Sequence, residues 1–241
     1  MNQTFKQFLT ETPVVDVDDM NKLSAISKLI KRDCQEYLRD SQSGNFLYRG
    51  IRAEFNDEFG DMHRFAAAKN RIPTDSPQWL HDLWNEIIED KTGIKGARDR
   101  AVFTTNQREQ AMEYAGNSGS LYIVFPIGPY DMLWDEDVYD SFIHVEAVWN
   151  RLMKQNSQIQ QVPLQAAQNI LDPDEFEYMV SELKNVLEQH YDESSNPFHG
   201  KHEIYLLTDE YYAINAGKNR RFSSKESSFI HQLKIELWGM P

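Results

Sequence analysis

The sequence predicts an α+β fold, and three observations lead to this class. The chain has 241 residues and 40% hydrophobic residues, enough to build a sizeable core. Short strand-like segments lie far apart in the chain and are separated by helical stretches of unequal length. Strands and helices do not alternate regularly along the chain. Regular alternation would favour a doubly wound parallel sheet. We therefore expect a mixed fold in which strands and helices are not arranged as βαβ units.

Two helices are predicted in the first hundred residues. Acidic residues at 16–19 suit the start of a helix, and apolar residues at helical spacing carry that helix to Leu38. Residues 73–77 contain two prolines, a threonine, an aspartate and a serine, which should cap a second helix. That helix has one apolar side and is expected to end near Gly93.

Further helices are predicted in the middle of the chain. Residues 107–114 form a short helix closed by Gly116, and residues 138–192 are mostly helical by pattern. Within the latter region, Asp172 followed by Pro173 reads as an N-cap with proline at the first helical position.

The predicted strands are short. They lie at 46–50, 101–105, 120–126, 202–207, 211–214 and 229–238. The segment 120–126 is the clearest, and we expect Pro126 and Gly128 to end it. Residues 57–71 are loose and polar, so no strand is predicted there.

Three of these strands carry a polar residue that their apolar neighbours do not require. The order along the chain is Arg49, then Thr104 and Thr105, then Glu203. Arginine binds phosphate with a planar fork of donors, hydroxyls both donate and accept hydrogen bonds, and a carboxylate offsets positive charge at a sugar's anomeric carbon. An arginine, then hydroxyls, then a carboxylate are the groups that a site needs to bind a phosphorylated dinucleotide. Taken singly, each residue also fits a plain structural role, since threonines are ordinary strand formers and strand-end glutamates are usually solvated.

The motifs around these residues resemble those of the mono-ADP-ribosyltransferase family, in its Arg–Ser/Thr–Glu branch. Leu47-Tyr48-Arg49-Gly50 is similar to the first block, and Phe103-Thr104-Thr105, followed by a helix ending Glu113-Tyr114-Ala115, to the second. Residues 202–207, leading into 211–214, resemble the third. The resemblance implies a split mixed or antiparallel sheet flanked by helices. It also implies a catalytic domain at 46–241 with a helical insertion around 138–192, after a leader and helical segment at 1–45.

The resemblance further implies roles for individual residues. Arg49 would contact the phosphate and adjoining ribose of NAD, and the backbone of Gly50 would contact nicotinamide. Thr104 would support Glu203 or line the nicotinamide pocket, with Thr105 beside it. Glu203 would bind the nicotinamide ribose and stabilise the oxocarbenium-like state as nicotinamide leaves.

Two other residues are candidates for the same pocket. Arg71 is placed to line the NAD or acceptor site, although Asp75 equally suits a helix cap paired with Arg71. Tyr48 is a candidate to stack on nicotinamide or adenine, although aromatic residues in strands more commonly belong to the core.

The chain departs from the family pattern at two positions. Members that modify arginine carry Glu or Gln two residues before the catalytic glutamate, where this chain has Lys201. Lysine has no acceptor atom, so this position argues against arginine as the acceptor and leaves NAD cleavage unaffected. Phe103 stands where the second block usually has its first serine.

Charge and composition limit the partners. The net charge of −13 disfavours nucleic acid, so a host protein is favoured as acceptor and RNA or DNA stays open. The only cysteine is Cys34, which excludes an intramolecular disulfide and a thiolate zinc cage. Residues 199–203 lack the spacing of a helical zinc site, so no metal is expected. No apolar run is long enough for a membrane span, and no membrane partner is expected.

The first residues carry a second resemblance. Residues 4–11 look like the capsid-targeting leader of head proteins from T-even-type tailed phages, and Leu9-Thr10-Glu11 resembles its cleavage site. This resemblance places the protein in the phage head and, after infection, in the host cytoplasm. The alternative is a frayed N-terminal helix docked on the body of the protein.

The expected function is transfer of ADP-ribose from NAD to a host macromolecule during phage infection. Two alternatives stay open: a non-enzymatic, acidic phage head or DNA-mimic protein on the same fold, and an NAD glycohydrolase.

Overall fold

Antiparallel strands form one sheet flanked by helices, as seen in a computed structural model of the chain. The structure describes residues 19–41, 44–52, 58–74, 76–117, 119–135, 137–156, 158–189, 198, 202–217 and 223–239. The strands are β1 (Leu47–Ile51), β2 (Met62–Ala66), β3 (Val102–Thr105), β4 (Ser120–Ile127), β5 (Asp131–Trp134), β6 (Glu203–Leu207) and β7 (Glu210–Asn215). The helices are α1 (Asp19–Asp33), α2 (Gln35–Asp40), α3 (Gln78–Thr92), α4 (Ala97–Arg100), α5 (Arg108–Ala115), α6 (Ser141–Gln155), α7 (Ala167–Ile170), α8 (Pro173–Leu187) and α9 (Ser224–Trp238). The α+β prediction is confirmed.

The sheet narrows to a single residue pair at its centre. The strand order is β2-β7-β4-β1-β3-β6-β5, and every described strand pair is antiparallel. β1 pairs with β4 along its whole length, but it meets β3 only at Tyr48 and Thr105. The sheet therefore consists of two halves, β2-β7-β4-β1 and β3-β6-β5. The three strands that carry the arginine, the threonines and the glutamate are neighbours at this junction.

Two hydrophobic cores hold the helices against the sheet. The first includes apolar residues of α1 and α9 together with Ile204 and Leu206 of β6. The second includes the tryptophans Trp84 of α3 and Trp149 of α6 together with Tyr205 of β6. Because successive side chains of a strand point to opposite faces, β6 contributes to both cores and is covered on both sides. This packing fixes the strand that begins with Glu203.

Most of the predicted helices are confirmed. The helix before Gly93 is α3, and Gly93 closes it in a left-handed conformation with φ 73°. Its N-cap residue is Pro77, which has no side-chain acceptor to cap the helix. α8 begins as predicted with Pro173 at the first helical position, and Asp172 forms a capping box with Glu175. The predicted first helix is interrupted at Cys34 and continues as α2.

The strand predicted at 229–238 is wrong, because this segment forms the helix α9. Ser223 and Glu226 make a capping box at its start. Its buried residues are Ile230, Leu233 and Leu237, which follow a helical rather than an alternating spacing.

Two strands were not predicted, and one extends further than predicted. β2 and β5 lie at the two edges of the sheet, where a strand has one neighbour and a weaker apolar pattern suffices. β4 continues through Pro126 to Ile127. The pairing of β1 with β4 ends at Leu47 and Val124. At Pro126, β4 is therefore paired with β7 alone, and the proline nitrogen, which has no hydrogen to donate, can face the unpaired side of the strand. None of the described helices is long and apolar enough to cross a membrane.

Candidate functional site

Arg49 lies on β1 at the junction of the two half-sheets. Its side chain is half-buried, and its Nη1 lies 3.5 Å from the hydroxyl oxygen of Tyr211 on β7. Its Cζ lies 6.0 Å from the centre of the Tyr211 ring. Tyr48 and Arg49 are successive residues of β1, paired with Ile123 and Tyr122 of β4. Their side chains therefore point to opposite faces of the sheet.

Arg71 reaches the same region from the segment between β2 and α3. Its backbone N–H donates to the carbonyl of Asp99 at 2.9 Å. The Asp99 carboxylate is held by the side chains of His81 and Asn85, at 2.8 and 2.9 Å. The Arg71 guanidinium lies over the ring of Phe103, with 4.5 Å between Cζ and the ring centre. A cation stacked on an aromatic face in this way is held in place while its donors stay available.

The arginines around this point form a positively charged cluster. Burial, and after it the charges of Arg49 and Arg98, lower the pKa of Arg71 to about 10. Among the described residues, neither Arg49 nor Arg71 has a carboxylate oxygen within 4.0 Å. The partner predicted for Arg71, Asp75, lies outside the described residues. Arginines without a carboxylate at ion-pair distance can receive an anionic ligand.

Glu203 begins β6, and the start of α6 lies against its side chain. The backbone N–H of Ser141 donates to Glu203 Oε2 at 3.1 Å. Burial raises the pKa of Glu203, while the Arg98 charge and the Ser141 side chain lower it. Glu203 is also among the charges that act on Arg71, so the carboxylate and the arginine cluster belong to one electrostatic site.

Arg98 lies beneath the glutamate and is buried. Its Nη1 donates to Ser141 Oγ at 3.0 Å and to the hydroxyl of Tyr205. Its Cζ also lies 5.2 Å from the centre of the Phe103 ring, so this ring contacts both Arg98 and Arg71. Arg98 is thus a residue of the interior, held below the site by hydrogen bonds.

A second carboxylate stands beside Glu203. Asp140 caps α6, accepting from the backbone N–H of Ile143 at 2.8 Å, and its charge raises the pKa of Glu203. The Tyr114 hydroxyl donates to Asp140 Oδ2 at 2.7 Å. The pKa of Tyr114 is raised, first by burial and then by the charge of Glu203. Both α5 and the start of α6 therefore border the glutamate.

The two threonines of the second block have different surroundings. Thr105 pairs with Glu203 in the sheet and so shares its face. Its hydroxyl donates to Gln110 Oε1 at 2.7 Å. Thr104 pairs with Ile204, and its buried hydroxyl donates to the carbonyl of that residue at 3.2 Å. The structure therefore brings Thr105 to the glutamate and directs Thr104 to the other face.

Gly50 and Tyr48 serve the packing of β1. A Cβ on Gly50 would lie 1.8 Å from the carbonyl oxygen of Ala111 and 2.5 Å from the nitrogen of Ala115, so α5 can approach β1 only over a glycine. Tyr48 packs against the first core, and its ring meets Phe46 edge-on at 6.3 Å. Burial raises its pKa to about 12.

Sequence reasoning missed three of the residues that surround the glutamate: Ser141, Asp140 and Tyr114. The helix beginning near 138 was predicted, but its sequence does not show which strand its N-terminus approaches. Arg98 lies on α4, just before β3, and the structure buries it. Lys201, the departure from the family pattern, lies outside the described residues.

The comparisons with known proteins add no relative. No protein-family model, no curated protein and no solved structure matches this chain. Among the residues that the structure describes, no group of three or more histidines, cysteines, aspartates or glutamates could hold a metal ion.

Proposed function

We propose that this chain is an NAD-dependent mono-ADP-ribosyltransferase. The observation that carries the proposal is the meeting of an arginine cluster and a half-buried carboxylate at the junction of β1, β3 and β6. Arg49 and Arg71 supply positive charge without a described carboxylate within ion-pair distance, and the charge of Glu203 acts on Arg71. The three sequence blocks that resemble the family fall on these three neighbouring strands.

The finer fold assignment belongs to this proposal. An ADP-ribosyltransferase-like split sheet is supported by the single residue pair that joins β1 to β3, Tyr48 and Thr105. A junction of this kind leaves the ends of both half-sheets available to line one cleft. In this assignment Gly50 has two roles, since its backbone faces nicotinamide while its missing side chain admits α5.

The chemistry follows from the charges of the site. Arg49 and Arg71 bind the diphosphate of NAD through charge-assisted hydrogen bonds. Ionised Glu203 binds a hydroxyl of the nicotinamide ribose and stabilises the positive charge that develops as the C1′–N bond breaks. Nicotinamide leaves with the bonding electrons, and a nucleophile of the acceptor then attacks C1′. When water is the nucleophile, the reaction is NAD hydrolysis.

The environment of Glu203 balances two needs. Burial strengthens the interaction of the carboxylate with a cationic sugar but favours its neutral form. The charge of Arg98 and the N-terminus of α6 act in the opposite direction and favour the ionised form. These opposing effects act on the same carboxylate, which the proposed chemistry uses in its ionised form.

We assign the acceptor to a host protein and the setting to infection by a tailed phage. The net charge of −13 supports a protein over a nucleic acid, and Lys201 argues against arginine as the modified residue. The leader-like segment, with cleavage after Glu11, falls in residues 1–18, outside the described residues. Mass spectrometry of the mature N-terminus in virions tests this assignment, which an intact Met1 would contradict.

The test of the function is NAD consumption with labelled transfer into host lysate. We expect the wild type to release nicotinamide and label a host protein, and Glu203→Gln to lose both activities by at least about 100-fold. Glu210→Gln is the matched control, because Glu210 is an exposed strand glutamate paired with Arg64. Undiminished labelling by Glu203→Gln would overturn the site.

Two other outcomes separate the alternatives. Nicotinamide release without transfer would identify an NAD glycohydrolase. Neither release nor transfer by the wild type would favour the non-enzymatic acidic protein, which the net charge supports.

A further inference from the structure

Ser141 connects Glu203 to the interior of the protein. It is the first residue of α6 and is buried, with 3% of its surface exposed. Its backbone N–H donates to Glu203 Oε2, and both its backbone and its side chain lower the pKa of Glu203. Ser141 lies 62 residues before Glu203 in the chain, and it belongs to none of the three sequence blocks.

The orientation of the Ser141 hydroxyl is set by Arg98. The Oγ atom accepts from Arg98 Nη1 at 3.0 Å. A hydroxyl has one proton and two acceptor lone pairs, so an oxygen that accepts from a cation directs its proton away from that cation. The same residue binds Glu203 Oε2 through its backbone N–H at 3.1 Å, so one serine contacts both Arg98 and the carboxylate.

Arg98 is itself fixed from two directions. Its backbone N–H donates to Asn85 Oδ1 of α3 at 2.8 Å, and its guanidinium donates to the Tyr205 hydroxyl on β6. The guanidinium also lies 5.3 Å from the centre of the Tyr205 ring. A chain of contacts therefore runs from α3 through Arg98 and Ser141 to the carboxylate.

We propose that Ser141 is a positioning residue, which together with Arg98 holds the Glu203 carboxylate in one orientation. It contacts the carboxylate from α6, whereas both threonine hydroxyls of the second sequence block donate elsewhere: that of Thr104 to the Ile204 carbonyl and that of Thr105 to Gln110 Oε1. The effect of this role on catalysis rests on the proposed function, whereas the contacts that hold the carboxylate do not depend on that function.

The charged and titratable groups that act on Glu203 come from several elements. Arg98 lies on α4, Asp140 precedes α6, Tyr114 lies on α5, and Arg71 comes from the segment before α3. Arg98 and Ser141 lower the pKa of Glu203, and Asp140 raises it. Removing the Ser141 hydroxyl takes away one of the interactions that lower the pKa of Glu203, while burial and Asp140 still raise it. The pKa of Glu203 should therefore rise.

The experiment is a titration of the Glu203 side-chain carboxyl by ¹³C NMR, assigned with Glu203→Gln. We expect its midpoint to move to higher pH in Ser141→Ala and to return in Ser141→Thr. Ser227→Ala, an exposed serine of α9, should leave it in place. Asp140 still caps α6 in these variants, and Arg98→Lys provides a second perturbation that should also raise the midpoint. Unchanged midpoints in Ser141→Ala and Arg98→Lys would overturn the proposal.

Kinetics of the same variants distinguish this proposal from the proposed function. Ser141→Ala should lower kcat for nicotinamide release about tenfold with little change in KM, and its acid limb should move to higher pH. If the wild type cleaves no NAD while the Glu203 midpoint still moves in Ser141→Ala, the positioning role is upheld and the proposed function fails. If NAD is cleaved and neither midpoint nor kcat changes, the positioning role fails alone.

Discussion

The guanidinium of Arg71 lies over the ring of Phe103, 4.5 Å from its centre. Phe103 occupies the position where the family pattern has a serine, and the aromatic ring gives this position a different use. It forms the surface on which Arg71 rests, and Arg98 lies 5.2 Å from the same ring. Stacking leaves the edge of a guanidinium free to donate, so under the proposed function Arg71 is already placed for a phosphate before NAD binds.

Replacing Arg71 by alanine should weaken binding of NAD. Loss of a charge-assisted contact costs about 1.5–3 kcal/mol, which corresponds to roughly 10- to 100-fold in Kd. Calorimetric titration of NAD into Glu203→Gln, with and without Arg71→Ala, measures this effect without turnover. Binding should also weaken as salt is raised.

Arg64→Ala is the control for this measurement. Arg64 lies on the edge strand β2, exposed and paired with Glu210, so its loss should leave the affinity for NAD unchanged. Equal losses in Arg71→Ala and Arg64→Ala would show that NAD responds to net charge alone and would remove Arg71 from the site.

Replacing Gly50 by alanine should destabilise the protein through a steric clash. The new Cβ would lie 1.8 Å from the Ala111 carbonyl oxygen, so α5 must move. Overpacking of this kind costs about 1–3 kcal/mol. Gly93→Ala is the matched comparison, because nothing lies within 4 Å of its added Cβ and the cost comes only from φ 73°, about 1 kcal/mol. Urea unfolding of the two variants compares these costs, and an unperturbed Gly50→Ala would contradict the close approach of α5.

Sequence reasoning located the strands of the site because their signals are local. In β1 and β6 apolar neighbours adjoin a single charged residue, and in β3 they precede two threonines, so each strand could be recognised from its own sequence. The same reasoning assigned Thr104 to the support of Glu203. Neighbouring residues of a strand lie on opposite faces of the sheet, and the pairing register decides which of the two threonines shares a face with Glu203. The sheet pairs Thr105 with Glu203.

Contacts between distant segments could not be predicted in this way. Ser141 and Arg98 reach Glu203 from helices packed on the second core, and no local pattern encodes that packing. The edge strands β2 and β5 have one partner each, so their sequences carry little of the apolar alternation that identifies a strand.

Two substitutions in α9 test whether the segment predicted as a strand is a helix. In a strand, residues 233 and 235 would share a face; in the helix Leu233 is fully buried and Ile235 is exposed. Leu233→Ala should therefore cost about 2–5 kcal/mol, and Ile235→Ala less than about 0.5 kcal/mol. Chemical denaturation gives both values. Similar losses at the two positions would contradict the helix.

Replacing Glu203 by glutamine should stabilise the folded protein at neutral pH while it removes activity. Burial raises the folded-state pKa of Glu203 above its ordinary value, so the folded protein favours the neutral carboxyl. The stabilisation that goes with the neutral form is complete below the unfolded-state pKa and is lost as pH rises through the folded-state pKa. Near pH 7, above the unfolded-state pKa, the wild type has lost some or all of this stabilisation, whereas glutamine does not ionise and loses none.

The thermal midpoints of wild type and Glu203→Gln should consequently differ at about pH 7.5 and converge at about pH 4, where the wild-type carboxyl is protonated. Glu210→Gln should show no such pH-dependent gain, because Glu210 is exposed and paired with Arg64. A Glu203→Gln protein less stable than the wild type at neutral pH would mean that Arg98 and Ser141 more than offset the burial of the charge. In that case the glutamate contributes to folding, and its retention would need no catalytic explanation.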